Sequence, residues 1–258
     1  MNDWNPALYT RFEAERTRPA AELLARVPLA APRFIADLGC GPGNSTELLA
    51  TRYPNARIVG IDTSQAMLAS ARVRLPALEF QRGDIAQWQP AQPLDLAFAN
   101  ASLQWLPEHE RVFPALLALL APGGVLAVQM PDNDAEPTHV LMRETAADPR
   151  FAAASAKLPG ARPRVLSPLR YYDLLAPHAE VEIWRTTYFH PLAGAASIVQ
   201  WLRSTGLRPF LEPLSSDEQA RYLGEYEQRV AAVYPQRADG LRVLQFPRLF
   251  IVARRSRS

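Results

Sequence analysis

A chain of 258 residues, 48% of them hydrophobic, is long enough for one large domain or for one domain with a substantial insertion. Its net charge of +2, without any basic run interleaved with aromatics, argues against a nucleic-acid partner, and no apolar stretch approaches the length of a membrane span. The single Cys40 excludes an internal disulfide, and four scattered histidines without HExxH or CxxC spacing give no support for a metal site.

The opening stretch MNDWNPALYTRFEAER is mixed and charged, without the apolar core of a signal peptide, so a cytoplasmic location is expected. Residues 1–30 read as an N-terminal helical lid over a ligand pocket, or alternatively as an arm on a second subunit; oligomeric state has no legible signature. From residue 33 short apolar strands alternate with amphipathic helices. RFIADL leads through a glycine loop to NSTELLATRY, ARIVGID to TSQAMLASARVRL, and LEFQRGD through IAQWQPAQP to LDLAFAN. PEHERVFPALLALL is followed by a turn, APGG, and a strand, VLAVQMP. This alternation predicts an α/β fold with a mostly parallel sheet covered on both faces, residues 31–131 forming its cofactor-binding half.

Further along, EPTHVLMRETAAD and LRYYDLLAPH read as helices around a Pro- and Gly-broken loop, and AEVEIWRTTYFH and FPRLFIVARR as the last two strands. Between those strands lies helical sequence, about residues 190–245, in which Ser215 and Glu218 have the spacing of a capping box. Such an insertion into a single domain covering 1–258 reads as a cap over a ligand site, or else as an oligomer contact.

The loop DLGCGPGNS, Asp37–Ser45, carries the chemistry. It lacks the Gly-Lys-Ser/Thr ending of a P-loop, and its glycines are spaced G-x-G-x-G, where a dinucleotide fingerprint has G-x-G-x-x-G. Asp37 stands directly before the turn, and a carboxylate there repels a pyrophosphate but attracts a cation. Three successive strands end in acids, Asp37, Asp62 and Asp84, at the edge where open parallel sheets bind ligands. One can pair an ammonium, one accept from a ribose, and one accept from an adenine amine. S-adenosylmethionine has all three groups and no phosphate. Taken singly, each acid could equally end a strand or cap a helix, as Asp62 could before TSQAML.

DLGCGPGNST, GID, GDI and FANASLQWLP resemble the successive motifs of class I S-adenosylmethionine-dependent methyltransferases. DWNPALYTRFEAERTRPAAELLARVPL, VLAVQMPDNDAEPTHVLMRE, VEIWRTTYFH, TGLRPFL and FPRLFIVARR narrow the resemblance to the trans-aconitate 2-methyltransferase family. That resemblance implies a seven-stranded Rossmann-like sheet with an antiparallel last strand, and methyl transfer to a carboxylate. It places Gly39, Cys40 and Gly41 against the methionine part and Asp62 on the ribose, with Thr63 and Met67 beside it. Asp84 and Ile85 would frame the adenine, and Asn100 and Ala101 would close the site under the sulfur; Met67 could equally be core packing on a helix face.

A carboxylate is already ionised at neutral pH, so no general base, metal or covalent intermediate is required. A tricarboxylate needs cationic partners, preferably forked ones, and all but one (Lys157) of the basic side chains are arginines. Arg208 and Arg248 are the substrate candidates, with Arg18 as a third arginine for substrate or cofactor. Tyr9, Gln104, Trp105, Tyr171 and Tyr172 could add orienting hydrogen bonds or an apolar wall, the two adjacent tyrosines being more in keeping with helix packing. His109 and His190 are given no role as a base.

Overall fold

The computed structural model describes residues 13–156, 165–203 and 205–257. Helix α1 (Glu13–Ala25) precedes β1 (Phe34–Leu38), which is buried along its whole length, as a strand covered on both faces must be. There follow α2 (Asn44–Arg52), β2 (Arg57–Asp62), α3 (Gln65–Arg74), β3 (Glu79–Arg82) and β4 (Leu94–Asn100). A 3-10 turn (Leu103–Trp105) leads to α4 (His109–Ala118) and β5 (Leu120–Pro131). The remaining elements are α5 (Pro137–Ala146), α6 (Ala152–Ala156), α7 (Pro168–Leu175), β6 (Ala179–Leu192), α8 (Ala195–Arg203), α9 (Arg208–Leu211), α10 (Ser216–Val233) and β7 (Arg242–Arg255).

The seven strands form one sheet in the order β3-β2-β1-β4-β5-β7-β6, parallel from β3 to β5 and antiparallel at its last strands. Ala36 of β1 is registered with Val59 of β2 on one side and Ala97 of β4 on the other. The strand order therefore reverses between β1 and β4, which opens a crevice at their carboxyl ends. Leu38, Ile61, Leu103, Phe113 and Val128 pack in the main core, each burial contributing about 1.5–3 kcal/mol. Among the described residues no helix is long and apolar enough to cross a membrane.

The expected APGG turn is part of β5 instead. Leu94 pairs with Leu120 and Leu96 with Val125, so β5 bulges by several residues against β4. A side chain at Gly124 would meet the Leu94 carbonyl oxygen at 2.8 Å, which is why the bulge needs glycine there.

The described residues group into two compact units: those up to Pro131 with Val165–Arg185 and those from Leu249 on, and the intervening remainder. The chain passes from one unit to the other within β6 and again within β7. In the second unit, α10 is tied to α5 by two buried phenols, Tyr222 donating to the Met142 carbonyl (2.7 Å) and Tyr226 to the Thr138 carbonyl (3.0 Å). The capping box is formed: the Glu218 amide donates to Ser215 Oγ, and the Ser215 amide donates to the Glu218 carboxylate at 2.8 Å.

Candidate cofactor and acceptor site

Asp37 is the next-to-last residue of β1, registered between Gly60 of β2 and Phe98 of β4, and fully buried. Its Oδ2 accepts from Ser45 Oγ (2.8 Å) and Thr46 Oγ1 (2.6 Å), both in the first turn of α2. Its Oδ1 has no partner among the described residues. Burial pushes the carboxyl up to about 6, the two hydroxyls pulling the other way. A buried carboxylate with one oxygen unsatisfied is costly unless a cation arrives to pair it.

The loop after Asp37 is held by the end of β2. The amides of Gly39 and Cys40 donate to the Ile61 carbonyl (2.7 and 3.0 Å), and that of Gly41 to Asp62 Oδ2 (3.0 Å). Two of the glycines do different work. At Gly39, φ is +77° and an added Cβ would fall 2.3 Å from that of Ser102, so nothing larger fits. At Gly41, φ is +53° but a Cβ would meet nothing within 4 Å, so the backbone there borders open space.

That space opens from a small cavity of about 20 Å³ lined by Thr17, Ala20, Gly39, Cys40, Gly41, Pro42, Asn44, Ser45 and Asn100. Among the described residues, Thr17 Oγ1 and Asn100 Oδ1 are buried without hydrogen-bond partners, as is Asp37 Oδ1 in the strand before the loop. Buried polar atoms are normally paired, and two such oxygens on residues lining the cavity, with a third on Asp37, whose other oxygen is bound by the lining residue Ser45, fit a ligand with several donors, among them a cation. The ammonium of S-adenosylmethionine meets that requirement, and a phosphate does not.

The other expected cofactor residues take varied places. Asp62 is half-buried, and besides Gly41 it accepts from the Ser64 amide at 2.8 Å. The N-cap of α3 is Ser64, whose Oγ accepts from the Met67 amide, so capping is not left to Asp62. Asp84 is exposed and closes its own turn, accepting from the Ala86 amide at 2.9 Å. Ile85 is buried close to Gly39, Met67 is buried on α3, and Thr63 is exposed. Cys40 lines the cavity while its side chain belongs to a cluster with Leu68, Ala71 and Phe80; burial pushes the thiol up, away from thiolate chemistry. Arg18 is exposed on α1 in an ion pair with Glu22 (2.8 Å); Thr17 and Ala20 of the same helix, rather than Arg18, line the cavity.

Asn100 ends β4 and lines the same cavity, and Ala101 follows with φ +54°, a left-handed conformation strained for any side chain. Gln104 is buried, its Nε2 donating to the Ala101 carbonyl (2.6 Å) and its Oε1 unpartnered; Trp105 is half-buried. Tyr171 requires a correction. It is fully buried in the main core, and its hydroxyl is bound to His109 Nδ1 (2.5 Å) and to the Leu166 amide (3.1 Å), so no part of it reaches a substrate. Tyr172, the next residue of α7, is exposed. Tyr9 lies outside the described residues.

Arg208 and Arg248 belong to the second unit. Arg208 opens α9, its Nε donating to Glu212 at 2.7 Å. Arg248 is only 4% exposed, its guanidinium 4.8 Å from the Phe246 ring centroid and 5.8 Å from that of Tyr188. Thr17, Ser45 and Thr46 were missed by sequence reasoning. For Ser45 and Thr46 a signal existed, two hydroxyls directly after the glycines; for Thr17 there was none, since α1 meets the loop only in three dimensions.

A family model described as a methyltransferase domain matches residues 35–124. The trans-aconitate 2-methyltransferase of Methylobacterium radiotolerans is 61% identical over 99% of this chain and 100% of its own. That of Paracidovorax citrulli is 60% identical over the same shares. Among solved structures, the YcgJ protein of Bacillus subtilis superposes with a TM-score of 0.62, covering 93% of this chain and 100% of its own at 10% identity, a likeness of fold alone.

Proposed function

Because this chain belongs to the trans-aconitate 2-methyltransferase family, we propose that it methylates one carboxylate of trans-aconitate, giving the monomethyl ester by in-line displacement without a general base. It is a methyltransferase that uses S-adenosylmethionine. When bound, that cofactor supplies an electrophilic methyl group on a sulfonium, which an ionised carboxylate oxygen can attack unaided. Asp37, with Asn100 and Thr17, would hold its donor groups; Gly39 and Gly41 would let its chain lie against the loop; and Asp62 would accept from its ribose.

The observation that carries this reading is the unpartnered Asp37 Oδ1 beneath an open, glycine-bordered cavity. A base is not needed, and neither His109 nor Cys40 is suited to be one. Both nitrogens of His109 are engaged, and the Cys40 thiol is pushed up by burial. The work of the chain is then to bind, to orient the acceptor and to exclude water. Arg248 is the arginine we assign to a substrate carboxylate. It is carried by the motif FPRLFIVARR, and its guanidinium lies against the rings of Phe246 and Tyr188. Arg208 is the second candidate, on the motif TGLRPFL.

The experiment is mass spectrometry of the purified chain with S-adenosylmethionine and, in parallel, trans-aconitate, cis-aconitate, citrate and isocitrate. A monomethyl ester formed fastest from trans-aconitate is expected, with Arg248→Ala raising the acceptor KM. Ester formed fastest from another acid, or from none, overturns the substrate assignment.

A further inference from the structure

His109 and Tyr171 have no part in the chemistry above, yet a hydrogen-bond chain runs through them to the turn carrying Gln104 and Trp105. His109 is the first residue of α4, and its ring turns back so that Nε2 lies 2.8 Å from the Leu103 carbonyl. Nδ1 lies 2.5 Å from the Tyr171 hydroxyl on α7, which also receives the Leu166 amide at 3.1 Å. The donor and acceptor roles are forced. A carbonyl can only accept, so Nε2 carries the proton and, in the neutral ring, Nδ1 must accept. Tyr171 therefore donates its hydroxyl proton to Nδ1 and accepts from Leu166. The ring sits among aromatic side chains, 5.3 Å from the Phe113 centroid, with the Phe113 and Tyr171 rings tilted at 44° and 4.5 Å apart.

The carbonyl that this chain grips belongs to the turn carrying Gln104 and Trp105. That turn starts from the strained Ala101, is tied to β1 through Ser102 Oγ and the Leu38 carbonyl (2.6 Å), and is closed by Gln104 on Ala101. Left-handed strain at an alanine persists only where the surroundings over-determine the conformation. Ser102 and Gln104 fix the front of the turn, and His109 fixes its back.

We propose that His109, held in its Nε2–H tautomer by Tyr171, is a positioning residue that sets the Ala101–Trp105 turn, and with it the acceptor side of the methyl-transfer site. The proposal rests on the reading that this turn faces the acceptor. Neither side chain touches substrate; both act through Leu103. A turn displaced by even an ångström misaligns the acceptor while the glycine loop, braced separately by Ile61 and Asp62, keeps the cofactor.

The test uses the full chain. Nitrogen-15 spectra of the histidine rings near neutral pH should show His109 protonated at Nε2 and bare at Nδ1; the opposite tautomer overturns the proposal. Tyr171→Phe keeps the ring in the core and removes only the hydroxyl. In that variant the amides of Leu103, Gln104 and Trp105 should shift while those of Gly39, Gly41 and Gly43 stay. The calorimetric Kd for S-adenosylmethionine should remain within about twofold, while kcat/KM for trans-aconitate falls roughly ten- to a hundredfold. His109→Gln, which keeps an N–H at the ε position, should recover most of what His109→Leu loses. Unchanged turn amides, or equal losses in cofactor affinity and acceptor kcat/KM, overturn the role. A wild-type chain that leaves trans-aconitate unmethylated defeats the proposed substrate, while the tautomer and the amide shifts still decide the positioning role.

Discussion

Around the glycine loop Asp37, Asn100 and Thr17 each keep a buried oxygen without a partner among the described residues, whereas in the second unit the hydroxyls of Tyr222 and Tyr226 are both bound to carbonyls of α5. All five side chains are polar groups removed from water, and elementary energetics asks the same of each, a hydrogen bond or a penalty. The phenols satisfy it within the chain and rigidify a helix pair. The three oxygens do not, and the penalty they carry is what a ligand with matching donors would relieve. The same contrast holds within the loop. Gly39 is glycine because Ser102 fills the place of a side chain, whereas at Gly41 the described residues leave that place open.

Four substitutions can break or sharpen this comparison. The largest effect is expected for Gly39→Ala, which adds a 2.3 Å collision to an unfavourable φ and should cost about 3 kcal/mol or more, seen as a large drop in Tm with cofactor binding lost. Gly41→Ala should fold at a cost of about 1 kcal/mol and still bind S-adenosylmethionine poorly in calorimetry, because only the ligand is displaced. Next comes Asp37→Asn. It removes a charged partner worth about 1.5–3 kcal/mol in binding, so Kd should rise roughly ten- to a hundredfold, without loss of stability at pH 8. The smallest effects belong to the second unit: Tyr226→Phe and Ser215→Ala should each lower stability by about 1 kcal/mol in chemical denaturation and leave cofactor Kd unchanged.

The raised carboxyl of Asp37 adds a pH signature with a definite sign. Between the ordinary value of 3.8 and about 6 the folded chain retains a proton that the unfolded chain has lost. Stability of the cofactor-free protein is therefore reduced as pH rises through that window, an effect complete above it and absent below it. A bound ammonium reverses the preference, so cofactor affinity should weaken on acidification below about 6. Turnover at saturating cofactor should stay nearly flat from mildly acidic to mildly alkaline pH, since the acceptor carboxylate needs no deprotonation.

Much of this was legible in the sequence, and the limits have physical causes. The strands were marked by short β-branched and aromatic runs closed by Asp, Asn or Gly, and the order strand, G-x-G-x-G, helix fixed the place of the crevice. The Ser215–Glu218 box was visible because its two partners are three residues apart. APGG read as a turn because glycine pairs usually are turns; that Gly124 instead approaches the Leu94 carbonyl depends on a strand that pairs with it only after folding. His109 and Tyr171 are 62 positions apart, and no periodicity or spacing links them. Tyr171 was therefore grouped with its exposed neighbour Tyr172, although adjacent helical residues point to different faces.

The most direct measurement is a calorimetric titration of S-adenosylmethionine into the wild-type chain and Asp37→Asn, each at pH 8 and pH 5. The account predicts tight binding by the wild type at pH 8, weakening at pH 5, and weak binding by the variant at both. Equal affinity in wild type and variant, or a wild-type affinity indifferent to pH, would mean that the open oxygen beneath the glycine loop does not receive the cofactor's cation.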